Sequence, residues 1–277
     1  MASNKITFII FTFNEEKRIE RAIRNFKDYG NIILADNKST DKTLDIAASY
    51  GCKVFTREKN YPFVENKELV DELYKHIDTE WVYWGFADEM LEKSTLKQIE
   101  LIVNADKHDI ITMDRKNYFY GDFCYDIYNG YNFKVFKKSA VDFSNNFIHG
   151  MGKPTLVENR IYKMPQKYFV HHFISNIASS YLNVINRYTD TEVEFDYKAN
   201  PSIGYLFLLY GKFVLRQFFR KRNYRAGFKG LALIELTLFY HLVKNMKMYE
   251  KEHKLDTQSI ENKNNIKRDE ILAKIYE

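Results

Sequence analysis

The chain has 277 residues, 45% hydrophobic and 16% aromatic, with 21 Tyr and 22 Phe; this is enough apolar surface for one large α/β domain with a smaller appendage, and it excludes a solvated, disordered chain. Two cysteines, Cys52 and Cys124, exclude a disulfide framework and a cysteine-based zinc site and point to a reducing compartment. The net charge of +5 is uneven, because the stretch from Gly211 to Lys254 holds eleven Lys/Arg against three Glu, a local +8 that leaves the remainder at −3 and predicts an anionic partner surface for the C-terminal part.

Lys5 to Thr12 (KITFIIFT) reads as a strand buried on both faces. It is interrupted by threonines, runs into Asn14-Glu15-Glu16 and has no small-residue cleavage site, which argues against a signal peptide. A helix is predicted from about Glu15 to Tyr29, with Ile19, Ala22, Ile23 and Phe26 at helical spacing, Asn14 as its cap and Gly30 at the left-handed C-terminal position. Asn31 to Ala35 repeats the strand, Asp36 to Thr40 is a polar turn, and Asp41 to Tyr50 is a helix closed by Gly51. Cys52 to Thr56 is a third strand, a helix follows from about Phe63 to His76, and Glu80 to Phe86 (EWVYWGF) is a fourth strand ending at Ala87-Asp88-Glu89. Ser94 or Thr95 caps the next helix, which precedes a strand at Asp109 to Met113; Asn117 to about Asn146 reads as hairpins and loops.

This alternation predicts an α/β domain with a mostly parallel, Rossmann-like sheet flanked by helices. Ligands of such sheets bind outside the carboxyl ends of the strands. Three polar clusters fall there: Thr12-Phe13-Asn14-Glu15, Asp36 to Asp41, and Asp88-Glu89. Singly, each also reads as caps, turn residues or solvated loop; their coincidence on one rim favours a site. No G-x-G-x-x-G and no Walker loop occurs, so a nucleotide would rely on an aromatic stack and carboxylates instead, with Phe13 facing the base, Asp36 accepting from it and Asp88 holding a divalent cation on a diphosphate.

The strings TFNEEKRIERAI, ADNKSTDKT and WVYWGFADE, in this order and spacing, resemble the N-terminal half of family-2 glycosyltransferases of the GT-A fold, and most of all the group acting on lipopolysaccharide core or related surface glycans. The resemblance covers residues 5 to 90 and extends more loosely through Lys116 to Phe119, Ile148-His149 and the C-terminal run. It implies transfer, with inversion, of a sugar from a nucleotide diphosphate, UDP-linked, to a cell-surface glycan or lipid-linked acceptor, assisted by Mg²⁺ or Mn²⁺. Donor binding then involves Thr12, Phe13, Asn14, Glu15, Asp36, Lys67 and Asp88, the metal meets Asp88 and His171, with His172 beside it, and Asp88, Glu89 and His149 serve catalysis. Two departures stand out: the D-x-D of the family is Phe86-Ala87-Asp88 here, and His149 is followed by Gly150 where similar enzymes have Glu. The candidates for the general base are His149, first on position and on its titration near neutral pH, then Asp126, Glu89 and Glu158. The alternatives are a non-catalytic scaffold of the same fold in a glycan-assembly complex, and a nucleotidyltransferase, which the missing Gly-rich phosphate loop disfavours.

After Pro201 two apolar segments, Ile203 to Phe219 and Gly230 to Val243, flank Arg220-Lys221-Arg222-Asn223-Tyr224-Arg225. Each is short of a membrane span and has an internal charge, Lys212 or Glu235, so interfacial or core-packed helices are expected. No nucleic-acid motif accompanies the basic residues, which favours an anionic membrane over nucleic acid. The expected organisation is a catalytic domain over 1–195, a basic helical membrane-docking region over 196–254 and a polar tail over 255–277 with a short helix around Asp269 to Tyr276. The protein is expected in the cytoplasm, peripheral on the inner face of the plasma membrane.

Overall fold

The computed structural model describes residues 5–57, 65–123, 132–144, 146, 152–155, 160–174, 177–195 and 203–275. The chain forms two compact units, Met1–Ser175 with Arg225–Gly230, and Asn176–Tyr224 with Leu231–Glu277. The first contains β1 (Ile6–Thr12), α1 (Ile19–Phe26), β2 (Asn31–Asp36), α2 (Thr43–Ser49), β3 (Lys53–Thr56), α3 (Lys67–Tyr74), β4 (Trp81–Phe86), β5 (Glu89–Leu91), α4 (Lys93–Ala105), β6 (Ile110–Phe119), β7 (Asp122–Phe123), β8 (Asn132–Lys137), the short pair β9 (Val141–Asp142) and β10 (Lys153–Pro154), β11 (Ile161–Lys163) and β12 (Phe169–Phe173).

All seven residues of β1 are buried, as an apolar strand must be when both its faces are covered. Alternate side chains leave it in opposite directions. Phe8 and Ile10 join Ile19, Ile23 and Phe26 of α1 and Leu96 and Ile99 of α4, with the Phe8 and Phe26 rings stacked at 4.7 Å. Ile9 and Phe11 join Val70 and Leu73 of α3 and Trp84 of β4. Each such fully buried large side chain contributes about 1.5–3 kcal/mol, so β1 is the strand around which the two cores form.

The main sheet runs β3-β2-β1-β4-β8-β6-β12-β5, with β7 and β11 also paired to β6. The α/β expectation holds, but the sheet is mixed rather than mostly parallel. β1, β2, β3 and β4 pair in parallel, as do β6, β11 and β12, while β8 is antiparallel to both β4 and β6. This antiparallel β8 lies in the stretch expected to hold hairpins and loops. Its sequence NFKVFK places Lys134 inside, where a buried partner awaits it, and so does not read as a buried strand. Strand order reverses between β2-β1 and β4, which makes the carboxyl ends of β1 and β4 the crevice of the sheet.

Local signals held in part. Gly51 follows α2 with φ +67° as expected, and Asn66 caps α3 by accepting from the Leu69 amide at 3.0 Å. Asn14 does not cap: α1 starts at Ile19 without a side-chain cap, and Asn14 itself is left-handed at φ +56°. Gly30 is required for a different reason than expected, since a Cβ there would meet the Ile6 carbonyl oxygen at 2.3 Å. Neither Ser94 nor Thr95 caps α4, which begins after Glu92.

The second unit holds α5 (Ala178–Phe195), α6 (Ile203–Leu215), a π-helical turn at Arg216–Arg220, most of α7 (Gly227–Glu252) and α8 (Thr257–Ile275). Acids of α5 fasten α7: Glu192 accepts from Tyr240 Oη at 2.5 Å and pairs with Lys244 at 2.8 Å, and Asp190 pairs with Lys247 at 2.6 Å. The helical run Asn223–Glu252 is nevertheless long and apolar enough, by length and composition, to cross a membrane, more than its central segment suggested. The C-terminal helix is also longer than expected, covering most of the polar tail.

Candidate active site

The register of the parallel strands sets Thr12 beside Asp36 and Phe11 beside Phe86, so the polar clusters that follow β1, β2 and β4 share one edge. The first two are laced together. Thr12 Oγ1 donates to Asp36 Oδ1 at 2.8 Å, and the Ser39 hydroxyl donates to the same oxygen at 2.6 Å. The Ser39 amide donates to Asp36 Oδ2 at 2.8 Å. The Asn14 amide donates to Ser39 Oγ and its Oδ1 accepts from the Thr40 amide, both at 2.8 Å, and the Glu15 amide donates to Thr43 Oγ1 at 2.7 Å. Asp36 is thus fully buried with both oxygens occupied, and it fixes the turn. Phe13, 45% exposed, is left on the open side.

At the end of β4, Asp88 is turned into the crevice with its side chain 23% exposed. Its Oδ2 lies 3.4 Å from His172 Nε2 and 3.9 Å from Arg18 Nη1, while Oδ1 is buried without a hydrogen-bond partner. His172 Nδ1 lies 2.7 Å from Asn117 Oδ1. An amide oxygen only accepts, so Nδ1 carries the hydrogen and Nε2 is the atom presented to Asp88. Burial opposes ionisation of Asp88, but the hydrogen bond and charge of His172, with Arg18 and Lys134, outweigh it and hold the carboxyl below its ordinary value. Arg18 also grips Glu15 with two bonds, at 2.6 and 2.9 Å; burial still raises the Glu15 carboxyl above its usual range.

Glu89 lies beneath this rim. It is fully buried, with Lys134 Nζ at 2.6 and 2.8 Å from its oxygens and Tyr83 Oη at 3.2 Å, and Lys134 also donates to the Trp84 carbonyl at 3.1 Å. Burial lowers the Lys134 ammonium against the opposing pull of Glu89, and burial raises the Tyr83 phenol well above its usual range.

The histidine pair divides by strand alternation. His172 shares a face of β12 with buried Val170 and meets Asp88; His171 lies on the opposite face, equally buried, with Nδ1 2.8 Å from Tyr118 Oη and Nε2 3.5 Å from Glu92. The residue brought to Asp88 is therefore His172, where the sequence reading put His171 on the metal. Only one of two adjacent strand residues can share a face with Val170, so the choice follows once β12 is known to be a strand. Lys67 opens α3 and is ion-paired at 2.6 Å with Asp71 on its own helix. His149, Asp126 and Glu158 lie outside the described residues, and Cys124 and Phe63 with them. Among the described residues no cluster of three or more His, Cys, Asp or Glu is arranged to hold a metal ion. Sequence reasoning missed Arg18 and Asn117, although Arg18 lies inside the first quoted string.

The fold and rim define an α/β protein whose polar crevice lies where the strand order reverses. Residues 7–158, more than half of the chain, match the family model described as glycosyl transferase family 2, and the chain belongs to that family. An uncharacterized glycosyltransferase of Rickettsia bellii (strain RML369-C) is 36% identical over 110 residues, which are 39% of this chain and 36% of that protein; the match thus spans little more than a third of the curated relative's length. Among solved structures, S. aureus TarS in complex with UDP-GlcNAc is similar over 88% of this chain and 89% of its own, at 16% identity and a TM-score of 0.48. Glucosyl-3-phosphoglycerate synthase from Mycobacterium tuberculosis, in complex with Mn²⁺, UDP and phosphoglyceric acid, is similar over 43% of this chain and 44% of its own, at 19% identity and a TM-score of 0.32.

Proposed function

We propose that this chain transfers a sugar from a nucleotide-diphosphate donor, UDP-linked, to a cell-surface glycan or lipid-linked acceptor, with inversion at the anomeric carbon. The observation that carries this reading is the convergence of Asp88, His172 and Arg18 at the mouth of the β1–β4 crevice, in a chain of glycosyl transferase family 2. The laced Thr12-to-Glu15 and Asp36-to-Thr43 loops form a rigid wall for the nucleoside, and Phe13 is the exposed ring available to stack on its base. Asp36 then acts by shaping that wall. Arg18 offers a cation to the diphosphate, and His149 is the proposed base for the acceptor hydroxyl.

A divalent cation fits the donor set in part. Asp88 Oδ1 is buried without a partner and His172 Nε2 faces the same carboxylate, which makes one hard oxygen and one imidazole nitrogen, while Phe86 supplies nothing where the family has its first carboxylate. Asp88 and His172 would hold Mg²⁺ or Mn²⁺, with diphosphate oxygens and water completing its shell. When bound, the ion supplies positive charge against the departing diphosphate. A thermal-shift panel of nucleotide sugars with and without Mn²⁺ tests the whole reading. A UDP-sugar at about 100 times its Kd is expected to stabilise the fold by about 2.7 kcal/mol and so raise Tm by several degrees, and a transfer assay should then detect the product. No shift with any nucleotide sugar would refute the donor assignment.

The proposed organisation keeps residues 1–195 as the catalytic domain, 196–254 as a basic helical region that docks on the anionic inner face of the plasma membrane, and 255–277 as a tail. Support comes from the second unit, where Phe207 is 73% and Phe219 67% exposed on α6 and the turn after it. Between Asp196 and Glu235 the sequence contains eight Lys/Arg and no acid. A second copy of the chain would bring the same cations to this surface and be repelled, whereas an anionic bilayer satisfies both the charge and the apolar side chains. Replacing Arg216, Arg220, Lys221 and Arg222 by Ser is expected to remove about 1 kcal/mol of attraction each, a fall of roughly a thousandfold in partition onto phosphatidylserine vesicles. Flotation unchanged by the four replacements would sink the docking assignment.

A further inference from the structure

The inner face of β6 carries two polar side chains that the proposed transfer does not use. Asn117 is 3% exposed and stands opposite His172 in the strand register, with its Oδ1 committed to the imidazole and its Nδ2 buried without a partner. Two residues earlier on the same face, Arg115 has a buried Nε that also lacks a partner, and among the described residues no carboxylate is paired with its guanidinium. Of the acids near this face, Glu89 is held by Lys134, and Asp114 accepts from the Arg115 backbone amide at 3.0 Å. Arg115 and the buried Lys134 ammonium repel each other. Leaving such donors unsatisfied is costly for a folded protein, more so for a guanidinium than for an amide. Two unsatisfied donors, one cationic, two residues apart on one strand face and next to Asp88 and His172, form the complement of an oxyanion.

We propose that Arg115 and Asn117 form an oxyanion subsite of the crevice, seating a phosphate or carboxylate group of a substrate. This rests on the reading of the crevice as a glycosyl-transfer site. The oxyanion has two possible sources, the diphosphate of the donor or an acidic group on the acceptor. The guanidinium supplies charge and a planar fork of donors, and the Asn117 amide, held in orientation by His172, supplies a fixed third donor.

Two variants test the subsite by calorimetric titration of the full chain. Arg115→Gln removes the charge. Asn117→Asp keeps the oxygen that accepts from His172 and exchanges the unsatisfied donor for an acceptor at nearly equal volume, so it remains informative if the first variant folds poorly. Arg115→Lys restores the charge without the fork. The probes are uridine, UDP, and inorganic phosphate added to the UDP-saturated protein. If the donor diphosphate is the ligand, both variants weaken UDP about 10- to 100-fold and leave uridine unchanged, with partial recovery in Arg115→Lys. If the acceptor provides the oxyanion, UDP binding is unchanged and phosphate binding to the loaded protein is lost. UDP and phosphate affinities that both equal those of the parent would overturn the subsite. A parent chain that binds phosphate, but neither UDP nor any nucleotide sugar, would reject the donor reading and leave the subsite standing if the variants lose that phosphate.

Discussion

Exchange of Asp88 for Asn is expected to lower kcat/KM for sugar transfer about a thousandfold, while the chain stays folded. The substitution keeps volume and the contact with His172, so the loss isolates the negative charge. That charge faces His172 Nε2 at 3.4 Å and Arg18 Nη1 at 3.9 Å, and Lys134 also favours its ionised form. Removing one preorganised electrostatic group from a transfer site costs about 10² to 10³ in rate, and the same group is the oxygen ligand proposed above for a cation. A second readout separates charge from packing. The Asp88 carboxyl is held below its ordinary value, so its ionised form contributes stability that is fully present above about pH 4 and is lost as pH falls through the lower folded value. Asp88→Asn should therefore flatten the stability profile on the acid side of pH 4 in urea melts. Full transfer activity in the variant would contradict the role assigned to the charge.

The second large effect concerns Lys134. Its pair with Glu89 is almost completely buried, so removing one partner strands the other charge. Lys134→Met is expected to destabilise the protein by about 3–5 kcal/mol, or roughly 6–20 °C in Tm at this chain length. The double replacement Glu89→Leu with Lys134→Met should return stability to within about 2 kcal/mol of the parent, because a well-packed apolar pair replaces a desolvated ionic one. Activity adds a decision that stability alone does not. If Glu89 acts only as the counter-ion beneath the rim, the refolded double variant transfers sugar, whereas a stable but inactive double variant would return Glu89 to the chemistry. Equal stability of Lys134→Met and the parent would show that the pair is not what holds β8 to the β4–β5 turn.

Much of the first half of the fold was legible because its signals are local. The apolar runs of β1, β2 and β4 are buried on both faces, the turns between them are polar, and parallel pairing follows from the alternation with helices. The rim was legible for the same reason, since three clusters follow three such strands. What escaped depends on pairings distant in sequence. β8 was not located within the hairpins and loops expected over its stretch because its central lysine is neutralised by an acid 45 residues earlier in the chain, at Glu89. Asp36 looked like a ligand for a base, yet its oxygens are taken up by Thr12 and Ser39 across two loops. Asn14 has the residue type of a cap, but its side chain reaches Thr40 instead. The choice between His171 and His172 required knowing that β12 is a strand, which its half-buried, aromatic sequence alone did not show.

β12 lies between β6 and β5, and the Phe173 amide donates to the Asp88 carbonyl at 2.9 Å. The segment that carries Asp88 is therefore clamped by residues that arrive about eighty positions later. A fragment ending before Phe169 would retain all three recognisable N-terminal strings and still lack both the histidine and the strand that orient the carboxylate. The crevice is thus closed by pairings between residues far apart in the chain, a kind of contact that carries a high loop-closure cost in folding.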